Sequence, residues 1–312
     1  MTVPRAMKRR LPYFSLAALL VFAAPALAAP DPNFHVFLCF GQSNMEGGGA
    51  LRESDQTVNQ RFQVLADFDT PDRNRKMGEW YDAIPPLTKR TRGISMMDYF
   101  GRTMVANLPE KYRVGVVKLG VSGTRIELWD QDAFRAYLDN LPPDGVWKRP
   151  LANQYDGNPY EYLVKLAKIA QQSGVIKGIL IHQGESNFED QNWPKKVKKV
   201  YDDLMKDLNL NPKDVTLLAG EVVNADQNGE KANANVIMKN LPGTLPNSHV
   251  ISSAGVPANR DRLHFTADGQ REMGRRYAQK MLDVMGYKAT EPKEPHVKAA
   301  AAASAANPAA IP

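Results

Sequence analysis

The sequence predicts an α/β protein with a mostly parallel, five-stranded sheet covered on both faces by helices. Two observations carry this. Short apolar, β-branched runs recur along the chain, continuous rather than alternating, as strands buried on both faces require. Segments of helical periodicity lie between them, and strand–helix alternation calls for a three-layer α/β/α arrangement.

The first strand is FHVFLCF (34–40). The stretch 44–92 that follows is too long for a plain loop and should carry structure of its own. Within it RFQVLADFD (61–69) suits a strand of a small hairpin, and Trp80, Tyr81 and PPL (85–87) suit a packed surface segment. MMDYFGRTMVANL (96–108) places Met97, Phe100, Met104 and Leu108 on one helical face. The second strand is RVGVVKL (113–119), and YEYLVKLAKIAQQSG (160–174) is a helix closing on a glycine signal. GILIHQ (178–183) is the third strand, followed by helix WPKKVKKVYDDLMKDL (193–208) with proline at an early position. VTLLAGE (215–221) and HVISS (249–253) are the fourth and fifth strands. The last helix, 266–286, has a threonine N-cap and a glycine terminator.

The 312 residues are 43% hydrophobic and 24% charged, which excludes a disordered or collagen-like chain. A single cysteine, Cys39, excludes an internal disulfide and a cysteine-based zinc site. The formal charge of +6 includes Arg5, Lys8, Arg9 and Arg10, so removing these four leaves +2 on the rest. That balance offers no footprint for nucleic acid. The densest basic run, KKVKK (195–199), reads as the solvated face of a helix.

Both ends read as separate from the folded unit. MTVPRAMKRR is a basic n-region, LPYFSLAALLVFAAP is apolar, and ALA (26–28) is a small-residue cleavage site. Pro12 and Pro25 bracket the apolar stretch and leave it short for a membrane span. The expectation is a signal peptide over 1–28, a mature chain from Ala29 that is periplasmic or extracellular, and no stable membrane insertion after cleavage. A single folded unit then occupies 29–288, and the Ala/Pro-rich segment 289–312 is a disordered tail.

In a parallel sheet, ligands bind beyond the carboxyl ends of the strands. Ser43 stands there, in GQSNMEGGG after the first strand. It is either a turn serine capping a helix or a nucleophile. The glycines do not form a phosphate loop, since no lysine follows them in the required pattern. A serine nucleophile needs a base. His35 and His249 lie within strands and His296 in the tail, which leaves His182 and His264. His264 follows the last strand in DRLHF, three residues after Asp261, a spacing that can place a carboxylate on one ring nitrogen. His182, in IHQGESN, reads as a buried sheet-edge histidine; with Glu185 it makes only two ligands, a poor metal site. The Gln183 amide and the Gly123 backbone, in GVSGTRIELW, are candidate donors to an oxyanion. Aromatic rings in loops, Trp80, Tyr81, Trp129, Trp147 and Tyr155, suit either ordinary packing or stacking on a sugar.

Together GQSNM, VSGTRIELW, HQGESN and DRLHF resemble the conserved blocks of SGNH-type esterases. More narrowly they resemble the SASA group, which covers sialate O-acetylesterase-like proteins and carbohydrate esterase family 6 acetylxylan esterases. The blocks stand in family order over about 34 to 285. The resemblance implies a flavodoxin-like SGNH fold, with Ser43 as nucleophile, His264 as base and Asp261 as its orienter. It implies oxyanion donors at Ser43, Gly123 and Gln183, with Glu185, Gln42 and Asn44 in support. Ser122 replaces a glycine of the usual GGT, and Arg125 stands where small residues are expected; Arg125, Trp129 and Trp80 are the expected substrate contacts. The implied activity is removal of O-acetyl groups from a carbohydrate, acetylxylan or a sialic-acid-like ester, with no metal and no cofactor. The alternatives are a secreted carbohydrate-binding protein that kept the fold but lost activity, and a sugar O-acetyltransferase using the same residues.

Overall fold

The computed structural model describes residues 1–2, 29–57 and 59–290. The expected signal peptide and most of the expected tail lie outside the described residues.

The strands are β1 (Asp31–Gly41), β2 (Gly48–Gly49), β3 (Phe62–Leu65), β4 (Trp80–Asp82), β5 (Arg92–Gly93), β6 (Arg113–Gly120), β7 (Gly174–His182), β8 (Thr216–Gly220) and β9 (Ser248–Ile251). The helices are α1 (Ser43–Glu46), α2 (Met96–Asn107), α3 (Phe134–Asp139), α4 (Lys148–Asn153), α5 (Pro159–Gln171), α6 (Trp193–Asp207), α7 (Ala234–Met238), α8 (Leu241–Thr244) and α9 (Ala267–Val284). The main sheet runs β4-β3-β6-β1-β7-β8-β9. The five expected strands are β1, β6, β7, β8 and β9. They are mutually parallel in the order β6-β1-β7-β8-β9, the flavodoxin-like order.

The sheet has seven strands rather than five. The strand expected within 61–69 forms as β3 and pairs antiparallel with β4, so Trp80 and Tyr81 belong to an edge strand and not to a surface segment. The other edge of β3 pairs parallel with β6, so the hairpin extends the sheet. Burial explains this: Val64 and Leu65 are fully covered, and the Phe62 ring fills the space over Gly101 of α2. An isolated hairpin would leave all three in water, at a cost of about 1.5–3 kcal/mol for each large apolar side chain. Gly174 also differs from expectation. It opens β7 opposite Asp31 instead of capping the helix before it.

The central strand β1 distributes its side chains to both faces. Val36, Leu38 and Phe40 join the core under α5 and α6, with Leu163, Ile179 and Val197. Phe37 and Cys39 join the core under α2 and α9, with Phe100, Met104, Tyr277 and Met281. Thr266 caps α9 by accepting the Gly269 N–H at 3.0 Å, and Gly286 leaves it with φ +80°. Three lysines of the basic run point to partners: Lys196 pairs with Glu127 and Asp190, Lys198 with Asp202, and Lys199 with Asp130, Asp132 and Asp203.

Consequently Ser43, Ser122–Gly123, Gln183 and, after β9, the turn 261–264 all lie beyond the carboxyl ends of parallel strands. Among the described residues no helix is long and apolar enough to cross a membrane.

Candidate active site

The Ser43 loop is set by contact with β7. The chain leaves β1 at Gly41, where a Cβ would lie 2.0 Å from the His182 carbonyl oxygen, so only glycine fits. Gln42 N–H donates to that carbonyl at 3.1 Å, and α1 starts at Ser43. Ser43 is half-buried, and its Oγ stands 2.8 Å from His264 Nε2.

The 261–264 turn is built by Asp261. Its Oδ1 accepts the backbone N–H groups of Leu263 and His264, both at 3.0 Å, while Arg262, between Asp261 and Leu263, adopts φ +55°. Its Oδ2 lies 2.7 Å from His264 Nδ1. The carboxylate fixes a proton on Nδ1 and leaves Nε2 to accept from Ser43. Burial works against charge on Asp261. The hydrogen bonds from the His264 ring and from the Leu263 and His264 amides outweigh it and hold the carboxyl below its ordinary range.

Asn44 joins this turn to the Ser43 loop. Its Nδ2 donates to the Leu263 carbonyl at 3.1 Å and to Glu185 Oε1 at 2.7 Å. Its Oδ1 accepts from Phe265 N–H at 3.1 Å and Gln270 Nε2 at 3.4 Å. Glu185 is buried, which pushes its carboxyl up against the effect of the Asn44 bond. Its Oε2 has no partner among the described residues.

The loop after β6 is held from two sides. Glu46, in α1, accepts Ser122 N–H at 3.0 Å and Ser122 Oγ–H at 2.6 Å, and Arg90 pairs with the same carboxylate at 2.9 Å. Gly123 follows with φ +69°; its N–H and that of Ser43 have no acceptor among the described residues. On the far side Asn187 Oδ1 accepts Ile126 N–H at 2.9 Å.

Gln183 does not present a free donor. It is fully buried, its Oε1 accepts the Trp193 indole N–H at 2.5 Å, and its Nε2 donates to Asn187 Oδ1 at 2.7 Å. The second Nε2 hydrogen is shared between the Thr124 carbonyl at 3.3 Å and Gln42 Oε1 at 3.4 Å. The amide thus braces three loops instead of facing the cleft. His182 is buried as expected, its Nδ1 3.2 Å from the Tyr277 hydroxyl, and burial pulls its imidazole down to about 3. Among the described residues no three of His, Cys, Asp and Glu gather as a metal-binding group.

The cleft beside Ser43 has a volume of about 710 Å³ and is lined by His264, Ser122, Trp147, Leu151, Lys89 and Arg92, among others. None of the three expected substrate contacts lines it. Trp129 is fully buried against Phe40, a core ring and not a loop ring. Trp80 packs edge-on against Phe34, near the opposite end of the sheet. Arg125 pairs with Glu127 and Asp190 at a separate depression. Sequence reasoning missed Glu46, Arg90, Asn187 and Trp193. Glu46 had one faint signal, its place one helical turn after Ser43.

A serine, a histidine and a carboxylate so connected can carry acyl transfer through a covalent intermediate. The chain matches, over residues 33–283, the family described as carbohydrate esterase, sialic acid-specific acetylesterase. A protein of Arabidopsis thaliana named as a probable carbohydrate esterase is 24% identical over 274 residues, 83% of this chain and 94% of that one. Among solved structures, that of an Arabidopsis thaliana protein superposes with TM-score 0.61 at 21% identity, covering 81% of this chain and 99% of the other. NanS superposes with TM-score 0.58 at 16% identity, covering 83% and 99%. The chain therefore belongs to the sialic acid-specific acetylesterase (SASA) family of carbohydrate esterases and is a carboxylic ester hydrolase.

Proposed function

We propose that this protein is an exported serine esterase that removes O-acetyl groups from a carbohydrate. The observation that carries the mechanism is the chain Ser43 Oγ–His264 Nε2 at 2.8 Å and His264 Nδ1–Asp261 Oδ2 at 2.7 Å. Ser43 Oγ attacks the acetyl carbonyl as His264 takes its proton, giving a tetrahedral oxyanion. The ester C–O bond then breaks, and the sugar hydroxyl leaves with that proton. Water adds to the acetyl-enzyme with His264 again as base, and acetate departs as Ser43 regains its proton. Asp261 orients the ring and stabilises the imidazolium.

The oxyanion is held by the Ser43 and Gly123 N–H groups, which have no other acceptor among the described residues. Gln183 serves this hole indirectly, by bracing the Thr124 carbonyl next to Gly123. Glu185, Asn44 and Gln42 hold the loops in register. No step calls for a metal or cofactor. The substrate class rests on the family description and on the name of the Arabidopsis relative; acetylxylan and a sialic-acid-like ester are the two candidates.

The test is acetate release from p-nitrophenyl acetate, acetylated xylan and O-acetylated sialic acid by wild type and Ser43→Ala. The expected result is a loss of about 10³-fold or more in the variant. Equal rates in both proteins would defeat the proposal.

A further inference from the structure

Five aromatic residues stand at loops or edges in the sequence, and the structure sorts them. Trp129 and Tyr155 are fully buried, the latter with its hydroxyl on the Gly120 carbonyl at 2.9 Å. Trp80 lies against Phe34, and Tyr81 donates its hydroxyl to Glu79 at 2.7 Å. Trp147 alone of the five lines the cleft that holds Ser43 and His264.

Three features make Trp147 a ligand surface. It is 49% exposed, an unusual state for so large an apolar ring inside a cleft. Its indole N–H has no acceptor among the described residues. Its position is nevertheless fixed. The ring packs on Gly123, where a Cβ would lie 2.7 Å from it. Two residues on, Arg149 anchors the segment to the Leu138 and Asp139 carbonyls at 2.8 and 3.0 Å. A half-exposed ring with a free donor at its edge, and the Lys148 ammonium 5.6 Å from its centroid as a second donor, matches a pyranose, which has an apolar C–H face and a rim of hydroxyls. Leu151, on α4, continues the apolar wall.

We propose that Trp147 is the stacking platform for the sugar ring that carries the acetyl group, and that it sets the preference for saccharide esters over small aryl acetates. This rests on the reading of Ser43 as nucleophile. Its contact with Gly123 places the platform beside the oxyanion donors, so a stacked sugar is delivered to the reacting centre.

The experiment compares wild type, Trp147→Ala, Trp147→Phe and Ser43→Ala on p-nitrophenyl acetate and on the saccharide ester, acetylated xylo-oligosaccharide or O-acetylated sialic acid, that wild type turns over faster. For Trp147→Ala, kcat/KM on the saccharide ester should fall about tenfold further than on p-nitrophenyl acetate, mainly through KM, as expected for loss of one stacking contact. Trp147→Phe should recover most of the difference. Equal losses on both substrates would make Trp147 a mere support for Gly123 and overturn the platform, as would no loss on either. Turnover that survives in Ser43→Ala would instead overturn the esterase reading, and the platform with it.

Discussion

Asn44 grips the backbone on both sides of His264: its Nδ2 donates to the Leu263 carbonyl and its Oδ1 accepts the Phe265 N–H, each at 3.1 Å. Asn44 is also the residue after Ser43. One amide therefore couples the serine loop to the histidine loop, which are separated by 221 positions in the chain. Replacing it with alanine frees the 2.8 Å approach of His264 to Ser43 to drift. Asn44→Ala should lose about 10²-fold in kcat with KM little changed, the scale of a misplaced catalytic group. Steady-state kinetics, with circular dichroism to confirm folding, check this.

The clamp on the loop after β6 makes a second expectation. Glu46 takes two hydrogen bonds from Ser122, immediately before Gly123. Ser122→Ala removes the hydroxyl and keeps the backbone bond, so kcat should fall only about threefold to tenfold, the worth of one such bond. Glu46→Ala removes both and leaves Arg90 without its carboxylate. It should lose more in kcat than Ser122→Ala, and the two losses should not add, since they act through one contact. A double-mutant cycle in kcat measures this.

Gln183 separates bracing from direct donation. A donor aimed at the oxyanion would lose rate without losing stability when truncated. A buried amide that satisfies Trp193 and Asn187 loses both. Gln183→Ala should therefore destabilise the fold by about 2–4 kcal/mol, from a cavity and two orphaned polar groups, along with the fall in kcat. Unchanged denaturant midpoint with a rate loss of about 10² would return Gln183 to the oxyanion hole.

His182 makes a prediction about pH. Burial lowers its imidazole from an ordinary 6.5 to about 3. As pH falls below 6.5, the unfolded chain binds a proton that the folded chain does not, so this group's contribution to stability declines until pH nears 3. The stability difference between wild type and His182→Gln should shift against wild type by about 1.4 kcal/mol per pH unit below 6.5. Urea unfolding of both proteins from pH 7 to pH 4 tests the slope. A difference constant with pH would mean that the folded state protonates His182.

Much of the fold was legible in the sequence for physical reasons that the structure makes plain. The runs that became β1, β6, β7, β8 and β9 are apolar at consecutive positions because helices cover both faces. β3 and β4 were harder to place. A short strand such as Phe62–Leu65 carries no mark of which neighbour its outer edge will find. In the candidate site, Ser43, His264 and Asp261 were readable because strand ends and a three-residue spacing are local features. Glu46, Asn187 and Trp193 were not, because each acts across loops distant in sequence. The rings of Trp129 and Trp147 look alike as residues near loops. Only the packing of Phe40 against one and Gly123 against the other distinguishes core from cleft.

The most direct test of the account is covalent labelling with a serine-directed phosphonate, followed by peptide mass mapping. The account predicts one adduct, on Ser43, absent in Ser43→Ala and formed about 10²-fold more slowly or less in His264→Ala, where the base is missing. Labelling of Ser43→Ala at the wild-type rate, or an adduct on another residue, would contradict it.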